Sequence, residues 1–406
     1  MKIQLQTFNN PLKGHVKLTS SKSESNRALL INALSEGLLD LDNLSAARDT
    51  QTMMRLLGNQ SNPIWDVLDA GTTMRFSTAY LATMGTGQTI TGTERMKQRP
   101  IGLLVDALRK LGAKIDYVEK EGYPPLKIHK ITDQKSTQLD IPGNISSQFI
   151  SALLMIGPSL PNGIQINLTT DVFSRPYIEM TLGLMKRFGV DAIWIDNMIT
   201  IAPQKYTGGA YTIESDWSGA SYWYSMAAIN KESDITLGGL REDSLQGDQE
   251  IATIMEKLGV STQYTENGAH LKSNGRLDEV IEINFKTCPD LAQTVMVTAA
   301  AKGATLKMTG LESLHIKETD RIAAMAAELT KIGGTLTAPE TGLWIMTPGS
   351  IPDTFSEIET YDDHRMAMAF APLNQIRTVT ILDPAVVNKS YPAFWEDMKL
   401  MGMEMA

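Results

Sequence analysis

The sequence predicts an α/β protein built from two similar domains, and two observations support this prediction. Helices of two kinds alternate along the chain, one amphipathic and one apolar on nearly every face, with short alternating runs typical of strands between them. The glycines that close the amphipathic helices recur about 55 to 75 residues apart, and such a period indicates internal repetition. About six strand–helix–strand–helix units follow one another, and the natural grouping is three in each domain.

Composition limits the class of protein. The 406 residues suffice for two or three domains, and 42% apolar with 20% charged residues is ordinary for a globular chain. The first ten residues lack the apolar core of a signal peptide, the longest apolar stretches are too short to span a bilayer, and one cysteine excludes an intrachain disulfide. We therefore expect a cytoplasmic protein that does not bind membranes. The net charge of −9 argues against a broad nucleic-acid surface but permits a local basic pocket.

The amphipathic helices each end at a glycine, the residue most common at helix C-termini because it adopts left-handed backbone conformations easily. Their charges fall on one face, so we expect them at the surface. The predicted segments are Met53–Gly58, Leu104–Gly112, Met180–Gly189, Ile251–Gly259, Ile322–Gly333 and Phe394–Gly402.

The apolar helices must be buried, because no face of them suits water. Each follows a polar stretch of small residues, so its first N–H groups and the positive end of its dipole meet polar side chains. The predicted segments are Ala28–Leu34, Met74–Met84, Phe149–Ile156, Ala220–Ile229, Leu291–Ala301 and Met366–Leu373, and the polar openings are residues 20–27, 69–73, 144–148, 216–219, 288–290 and 361–365.

The change of domain falls near Gly238 to Gln246. We assign residues 1–20 and 244–406 to domain 1 and residues 21–243 to domain 2. The first repeat is short, because about 20 residues separate Asp49 from Asp69, too few for a full helix and a hairpin.

The stretch Lys317-Glu318-Thr319-Asp320-Arg321 precedes an apolar run and predicts a helix start, with Thr319 or Asp320 as the N-cap. If the stretch is helical, Lys317 and Arg321 stand four residues apart and share a face. The alternative interpretation is a solvated, charged helix start without a function.

Lysines and arginines are more frequent at the polar openings and nearby loops than helix capping requires. Several helix N-termini and cations directed at one cleft make a strong anion site, so the pattern predicts binding of more than one phosphate or carboxylate. The alternative is that these arginines only brace loops through carboxylates. The cations concerned are Lys22, Arg27, Arg75, Arg99, Lys317, Arg321, Arg365 and Lys389.

Candidate acids and bases lie among these cations, namely Asp290, Glu318, Asp363 and His364. Cys288 enters an apolar helix, which favours a structural role over a nucleophilic one. The sequence has no GxxxxGK[ST] loop, HExxH motif or CxxC pair, so nucleotide hydrolysis and zinc chemistry have no support.

Taken together, these motifs resemble the 5-enolpyruvylshikimate-3-phosphate synthase family. The resemblance runs in order from about residue 15 to residue 400. It rests on residues 21–27, 70–72 with Arg75, 99–100, 146–148, 174–177, 289–290, 317–321, 363–367 and 388–389.

The resemblance implies two domains, each of three βαβαββ units with buried parallel helices, and an active site in the cleft between the domains. It implies transfer of the enolpyruvyl group of phosphoenolpyruvate to the 5-hydroxyl of shikimate 3-phosphate, with release of phosphate. It further implies no metal or organic cofactor, no macromolecular partner, a monomeric state, and competition between glyphosate and phosphoenolpyruvate, with Gly71 leaving room for the inhibitor.

The resemblance also implies roles for individual residues. Asp290 would take the 5-hydroxyl proton, and Glu318 would relay protons to and from the methylene group. Lys22, Lys317, His364 and Lys389 would stabilise charge as the tetrahedral intermediate forms and decays. Shikimate 3-phosphate would contact Lys22, Ser23, Arg27, Ser146, Ser147, Gln148, Ser174, Tyr177, Asp290, Ser313 and Lys317. Phosphoenolpyruvate would contact Lys22, Gly71, Arg99, Gln148, Arg321, His364, Arg365 and Lys389.

The chain departs from the family pattern in places. Asp69 replaces a common Asn, and its extra carboxylate is expected to weaken binding of phosphoenolpyruvate. Glu24 adds a negative charge inside the first motif, and Ser313 replaces a common Asn that contacts shikimate 3-phosphate. The first repeat is also shortened.

Three rival functions remain open. The related transferase that acts on UDP-N-acetylglucosamine usually carries a reactive cysteine in a loop, whereas Arg95 to Arg99 contains none. An RNA-binding or RNA-processing protein on a related repeat fold predicts a basic surface with stacking aromatics, whereas this chain is acidic with 6% aromatic residues. A non-catalytic, anion-binding paralogue would be expected to lose Asp290 or Glu318, and both are present.

Overall fold

The helices form at the positions that the two sequence patterns predict. The structure, a computed structural model, describes residues 1–406 apart from the side chain of Ile316. The buried helices begin earlier than predicted, because polar openings such as Lys22–Arg27 form their first turns. The exception is the helix Ala292–Lys302, which is preceded by a 3₁₀ turn, Pro289–Leu291. The helices are α1 Lys22–Leu34, α2 Arg48–Leu57, α3 Gly71–Met84, α4 Glu94–Lys97, α5 Gly102–Leu111, α6 Ser147–Ile156, α7 Arg175–Arg187, α8 Trp217–Ile229, α9 Ile251–Glu256, α10 Ala292–Lys302, α11 Arg321–Thr330, α12 His364–Phe370 and α13 Phe394–Leu400.

The strands are short and belong to small mixed sheets. They are β1 Lys2–Leu5, β2 Leu12–Lys17, β3 Leu39–Asp42, β4 Ile64–Asp66, β5 Thr89–Thr91, β6 Lys114–Tyr117, β7 Leu126–His129, β8 Gln138–Ile141, β9 Ile164–Leu168, β10 Ile193–Ile195, β11 Met198–Ile201, β12 Gly209–Thr212, β13 Ser233–Gly238, β14 Val260–Thr265, β15 Gly268–Ser273, β16 Val280–Asn284, β17 Thr305–Thr309, β18 Thr335–Glu340, β19 Leu343–Thr347 and β20 Val379–Leu382.

The four-stranded sheets share one strand order. In one of them β16 pairs in parallel with β17, β17 pairs antiparallel with β19, and β19 pairs antiparallel with β18. The orders β2-β13-β15-β14, β4-β5-β7-β6 and β8-β9-β11-β10 repeat this pattern. A buried helix connects the parallel strands, as α10 does between β16 and β17. The predicted repetition is therefore a βαβαββ unit.

Two sheets are smaller. The pair β1-β20 is extended on both edges by single bridges, from Ile358 to Ile381 and from Leu5 to Met405, so it keeps the order of the larger sheets. The pair β3-β12 has two strands, and residues 58–61 form a turn at the chain position where the other repeats continue into a hairpin. The first repeat is therefore shortened, as the short distance along the chain between Asp49 and Asp69 predicts.

The chain divides into two units, each with its own hydrophobic core. Unit 1 comprises Met1–Ser21 with Glu214–Ala406, and unit 2 comprises Lys22–Ile213. In unit 1 the buried helices α8, α10 and α12 pack on one another, and in unit 2 α1, α3 and α6 do so. No described helix combines the length and apolar character needed to cross a membrane.

The chain enters unit 1 for the second time near residue 214 rather than at the predicted residue 244. The reason is the packing of α8, which belongs to the core of unit 1. The Thr298 hydroxyl of α10 donates to Ser225 Oγ of α8 at 2.7 Å, and Ser221 pairs with Thr294 at 3.3 Å. A pattern of apolar residues cannot show which of two cores a buried helix will join.

Glycine is required where the chain leaves β17 toward α11. Gly310 has a φ of 77°, and a Cβ there would lie 2.4 Å from the backbone nitrogen of Lys286. Gly303, which caps α10 with a φ of 81°, has nothing within 4 Å of such a Cβ. A comparison of substitutions at the two glycines therefore separates the cost of a left-handed backbone from the cost of crowding.

We expect Gly303→Ala to lower the free energy of unfolding by about 1 to 2 kcal/mol, the cost of a left-handed backbone for a residue with a Cβ. Gly310→Ala should cost clearly more, because the backbone around Lys286 must also move. Urea unfolding followed by tryptophan fluorescence would compare the two variants. Equal losses would show that crowding at Gly310 contributes nothing.

Candidate active site

The stretch 317–321 is helical only from Arg321 onward. Asp320 is the N-cap of α11, one of the two residues predicted, and its side chain accepts from the first free backbone N–H groups. Lys317 lies outside the helix, with φ −85° and ψ −148°, so the condition under which Lys317 and Arg321 would share a helix face is not met. Both cations nevertheless reach one carboxylate oxygen, Asp290 Oδ1, with Lys317 Nζ at 3.5 Å and Arg321 Nη1 at 3.0 Å.

A buried guanidinium, that of Arg321, holds three carboxylates. It is 2% exposed and donates from Nε to Asp363 at 2.7 Å, from Nη1 to Asp290 at 3.0 Å and from Nη2 to Glu318 at 3.0 Å. Burial would lower the pKa of Arg321, but Asp363, Glu318 and Asp290 raise it above its ordinary value. We call the charged group around this side chain the Arg321 cluster; its members are Asp290, Lys317, Glu318, Arg321, Asp363, Arg365 and Lys389.

Asp290 is the carboxylate with the most cations around it. Besides the contacts to Arg321 and Lys317, its Oδ2 accepts from Arg365 Nη2 at 2.9 Å, and its backbone oxygen accepts from Arg365 Nη1 at 3.0 Å. Burial would raise the pKa of Asp290, but Arg365, Lys317 and Arg321 hold it well below its ordinary value. The side chain is therefore ionised and fixed from several directions.

Glu318 lies between two cations. Its Oε2 accepts from Arg321 Nη2, and Lys389 Nζ lies 3.4 Å from its Oε1. Lys389 is 4% exposed at the end of the 3₁₀ turn Pro384–Lys389. Fold and charge therefore bring together two segments about 70 residues apart in the sequence.

Asp363 has an orienting role. It is fully buried, accepts from Arg321 Nε, and caps α12 by accepting from the backbone N–H of Arg365 at 2.9 Å. His364 follows it, 2% exposed, with Nδ1 3.6 Å from Asp363 Oδ1. The carboxylate thus fixes the start of the helix that carries His364 and Arg365.

Two residues of this site were not predicted as site residues. Ser218 Oγ accepts from Arg365 Nη2 at 3.3 Å, and the Ser218 hydroxyl donates to Asp248. Burial, with a further contribution from Asp290, raises the pKa of Asp248 to about 6. Ser218 lies in a polar helix opening and could have been selected on that basis, whereas Asp248 lies in the 3₁₀ turn Gly247–Glu250 and carries no such signal.

A second group of predicted residues lies in unit 2, at the start of α1 and α3. Lys22 Nζ is 3.5 Å from Asp49 Oδ2, a buried carboxylate that the sequence patterns also did not select. A Cβ on Gly71, the first residue of α3, would lie 2.7 Å from Arg99 Nη1. The missing side chain at Gly71 therefore lets the Arg99 guanidinium approach the helix N-terminus.

The two additional carboxylates in unit 2 both have a hydrogen-bond partner. Arg48 Nη2 donates to Asp69 Oδ2 at 2.7 Å, so the negative charge of Asp69 is paired with a cation. The Tyr211 hydroxyl donates to Glu24, and both side chains are buried. The expected weakening of anion binding by Asp69 is therefore reduced by Arg48.

Arg27 is placed as a brace between helices. Its side chain is 2% exposed and donates to Thr181 Oγ1 at 2.7 Å, to the backbone oxygen of Ser23 at 2.9 Å and to that of Tyr177 at 3.2 Å. Burial lowers the pKa of Arg27 to about 10, so it stays charged at neutral pH. These contacts favour the bracing alternative for Arg27, and its predicted substrate contact stays a prediction.

The predicted hydroxyl and amide residues of unit 2 occupy helix starts. Ser146 caps α6 and is exposed, Ser147 is buried behind it, and Gln148 Nε2 donates to Thr72 Oγ1 at 3.0 Å. Ser174 caps α7 with a left-handed backbone, φ 54°. The remaining predicted residues are Ser23 in the first turn of α1, Tyr177 in the first turn of α7 and Ser313 in the 3₁₀ turn Glu312–Ile316 of unit 1.

Cys288 is not placed for nucleophilic chemistry. It is 1% exposed, and burial raises the pKa of its thiol to about 12. Among the described side chains, no group of three or more histidine, cysteine, aspartate or glutamate residues is arranged to bind a metal ion.

Comparison with known proteins places the chain in a family. The family model described as EPSP synthase (3-phosphoshikimate 1-carboxyvinyltransferase) matches residues 7–62 and 58–398. A 3-phosphoshikimate 1-carboxyvinyltransferase from Bacteroides fragilis is 49% identical over 394 residues, 96% of each chain, and one from Vibrio atlanticus is 37% identical over 97% of each. An EPSP synthase structure from Acinetobacter baumannii matches the fold with a TM-score of 0.81 at 23% identity, over 100% of this chain and 99% of that one. The chain belongs to the EPSP synthase family.

Proposed function

We propose that this chain transfers the enolpyruvyl group of phosphoenolpyruvate to the 5-hydroxyl of shikimate 3-phosphate and releases phosphate, the activity for which its family is named. The observation that carries the proposal is the Arg321 cluster. In it two carboxylates suited to proton transfer, Asp290 and Glu318, contact the same buried guanidinium. Two proton-transfer groups in fixed geometry suit a reaction that removes a hydroxyl proton and that adds and then removes a methylene proton.

The cations of the cluster suit the substrates. Phosphoenolpyruvate and shikimate 3-phosphate each bring a phosphate and a carboxylate, and arginine binds both groups with two parallel hydrogen bonds. We assign Arg321, His364, Arg365 and Lys389 of unit 1 to phosphoenolpyruvate, together with Lys22, Gly71, Arg99 and Gln148 of unit 2. Preorganised cations stabilise developing negative charge without reorganisation during the reaction.

Asp290 is the proposed base for the 5-hydroxyl proton. Its low pKa arises from Arg365, Lys317 and Arg321, and a carboxylate so strongly stabilised is a weak base. A substrate anion that binds Arg365 or Lys317 would weaken their hold on Asp290, so its pKa would rise toward the range that proton transfer needs. Substrate binding and activation of the base are then one event.

Glu318 is the proposed relay for the methylene proton. It lies between Arg321 and Lys389. Both cations are assigned to phosphoenolpyruvate, so Glu318 would lie close to that substrate when it is bound. Addition of the 5-hydroxyl across the double bond places a proton on the methylene carbon, and loss of phosphate removes one again. A single carboxylate balances these two steps when it enters the cycle protonated, gives its proton to the methylene carbon and takes one back as phosphate leaves. The hydroxyl proton taken by Asp290 then departs with the released phosphate.

Shikimate 3-phosphate is assigned to the hydroxyl and amide residues at the helix starts of unit 2. Exposed Ser146, partly buried Ser174 and Tyr177, and Gln148 offer neutral donors. The full proposed set is Lys22, Ser23, Arg27, Ser146, Ser147, Gln148, Ser174, Tyr177, Asp290, Ser313 and Lys317. We further propose that the chain works as a monomer in the cytoplasm.

The assay that tests the function is phosphate release from phosphoenolpyruvate with each of two acceptors supplied in parallel. We expect release with shikimate 3-phosphate and none with UDP-N-acetylglucosamine, since buried Cys288 cannot serve as the reactive cysteine of the sugar-nucleotide enzymes. Release with the sugar nucleotide alone would contradict the substrate assignment. Release with neither would favour an anion-binding paralogue.

Asp290→Asn should separate binding from turnover. Turnover should fall by about 100- to 10,000-fold, the usual effect of removing a proton-transfer group. Affinity for phosphoenolpyruvate or inorganic phosphate should stay equal or increase, because Arg321, Arg365 and Lys317 lose a competing carboxylate. Steady-state kinetics and calorimetry would measure the two effects, with Asp278→Asn on the surface as the control. Weaker anion binding with unchanged turnover would contradict the base assignment.

Asp248→Asn should change the pH dependence of stability. The folded-state pKa of about 6 lies above the ordinary 3.8, so the folded state binds more protons between these values and wild-type stability falls as pH rises through this window. The asparagine variant cannot ionise, so it should match wild type near pH 4 and gain on the order of 3 kcal/mol above pH 6.

Denaturant unfolding at pH 4.5 and pH 7.5 would measure this difference, with exposed Asp243→Asn on the same segment as the control. A gain that is equal at both pH values, or a loss at pH 7.5, would contradict the raised pKa.

A further inference from the structure

The turn before α12 holds an unusual backbone. The N–H of Asp363 donates to the carbonyl of Thr360 at 2.8 Å, and both central residues are left-handed, Tyr361 with a φ of 53° and Asp362 with a φ of 56°. Two positive φ values in succession are the pattern of a type I′ turn, which favours glycine, asparagine and aspartate. A tyrosine in this conformation is an outlier, so contacts outside the turn must hold it there.

Glu328 supplies those contacts. It is 0% exposed on α11, its Oε1 accepts from the Tyr361 hydroxyl at 2.8 Å, and its Oε2 accepts from the backbone N–H of Glu359 at 3.1 Å. Lys331 Nζ lies 2.7 Å from Oε2 and balances the charge on the solvent side. Burial, reinforced by Glu328, raises the pKa of Tyr361 to about 12, so the hydroxyl remains a donor at neutral pH.

The helix that carries Glu328 also carries Arg321. The two residues are seven positions apart, about two turns of helix, and therefore lie on the same face of α11. Arg321 holds Asp363 just after the turn, while Glu328 holds Glu359 and Tyr361 before and within it. One helix thus fixes the segment 359–363 at both ends.

We propose that Glu328 is a positioning residue for His364 and Arg365. By keeping the Tyr361–Asp362 turn in its left-handed conformation it sets where α12 begins, and so where Arg365 meets Asp290. The proposal rests on the proposed function, because it assigns the effect of Glu328 to phosphoenolpyruvate, the substrate given to His364 and Arg365.

Four variants test the proposal. Tyr361→Phe removes only the hydroxyl, and Glu328→Gln removes the charge while keeping the shape. Glu340→Gln is the control, because it makes the same change of side chain at an exposed glutamate of β18. Tyr361→Gly removes the cost of the left-handed backbone, since glycine adopts positive φ freely.

We expect Glu328→Gln to lower kcat/KM for phosphoenolpyruvate by about tenfold or more, the scale of a weakened hydrogen bond to a charged group. The KM for shikimate 3-phosphate should change far less. The loss in kcat/KM caused by Glu328→Gln should be smaller in the Tyr361→Gly background, because the glycine removes both the backbone strain and one of the two contacts through which Glu328 acts. Glu340→Gln should behave like wild type.

Kinetics measured well below the thermal unfolding midpoint separate positioning from stability. A merely structural Glu328 would lower the midpoint of Glu328→Gln and leave kcat/KM of the folded enzyme unchanged, which would overturn the proposal. An equal loss with and without Tyr361→Gly would also overturn it. If Glu328→Gln fails to fold, Tyr361→Phe carries the same comparison with a smaller expected loss. Wild type without activity would instead refute the proposed function.

Discussion

The interaction on which unit 1 depends is the contact of the Arg321 guanidinium with three carboxylates. A buried cation is stable only when it is paired and hydrogen-bonded, and Arg321 meets this condition through Asp290, Glu318 and Asp363. Each carboxylate arrives on a different segment, before α10, before α11 and before α12. Folding of the unit and assembly of its charged site are therefore the same process, because neither the cation nor the carboxylates can be buried alone.

The repeated fold explains why the charged residues meet. Each βαβαββ unit places a buried helix between two parallel strands, and polar residues stand at the N-terminus of such helices. Asp290, Asp363 and Ser218 stand at the openings of α10, α12 and α8, which pack on one another. In unit 2, Lys22, Gly71 and Ser146 stand at the openings of α1, α3 and α6. Close packing keeps the helix starts fixed, so side chains there are held more rigidly than side chains on free loops.

Much of this was predictable from the sequence, because it depends on local patterns. Helix positions, the Asp320 cap and the cations at helix openings follow from periodicity and from residues near one another in the chain. Contacts between distant segments were not predictable. Asp248, Asp49 and the arginine partner of Asp69 were missed for this reason, because no local pattern marks them. The non-helical backbone of Lys317 is likewise not predictable from local patterns, because its side chain contacts Asp290, which is distant in the sequence. The entry of the chain into unit 1 near residue 214 likewise depends on how α8 packs against α10.

The proposed catalytic carboxylates are paired with the cations proposed to bind the substrates. This pairing opposes catalysis, because it makes a carboxylate a weaker base, and substrate binding can remove that opposition. Cations strong enough to bind phosphate and carboxylate groups also lower the pKa of Asp290 and make it a poor base. In the proposed reaction a substrate anion would relieve this by competing for the same cations, so the base would become active only when its substrate is present. The pKa of Asp248 is raised by a different cause, namely burial, with a further contribution from the charge of Asp290, and Arg365 opposes the shift. Cations therefore hold Asp290 ionised, whereas burial leaves Asp248 poised to protonate near pH 6.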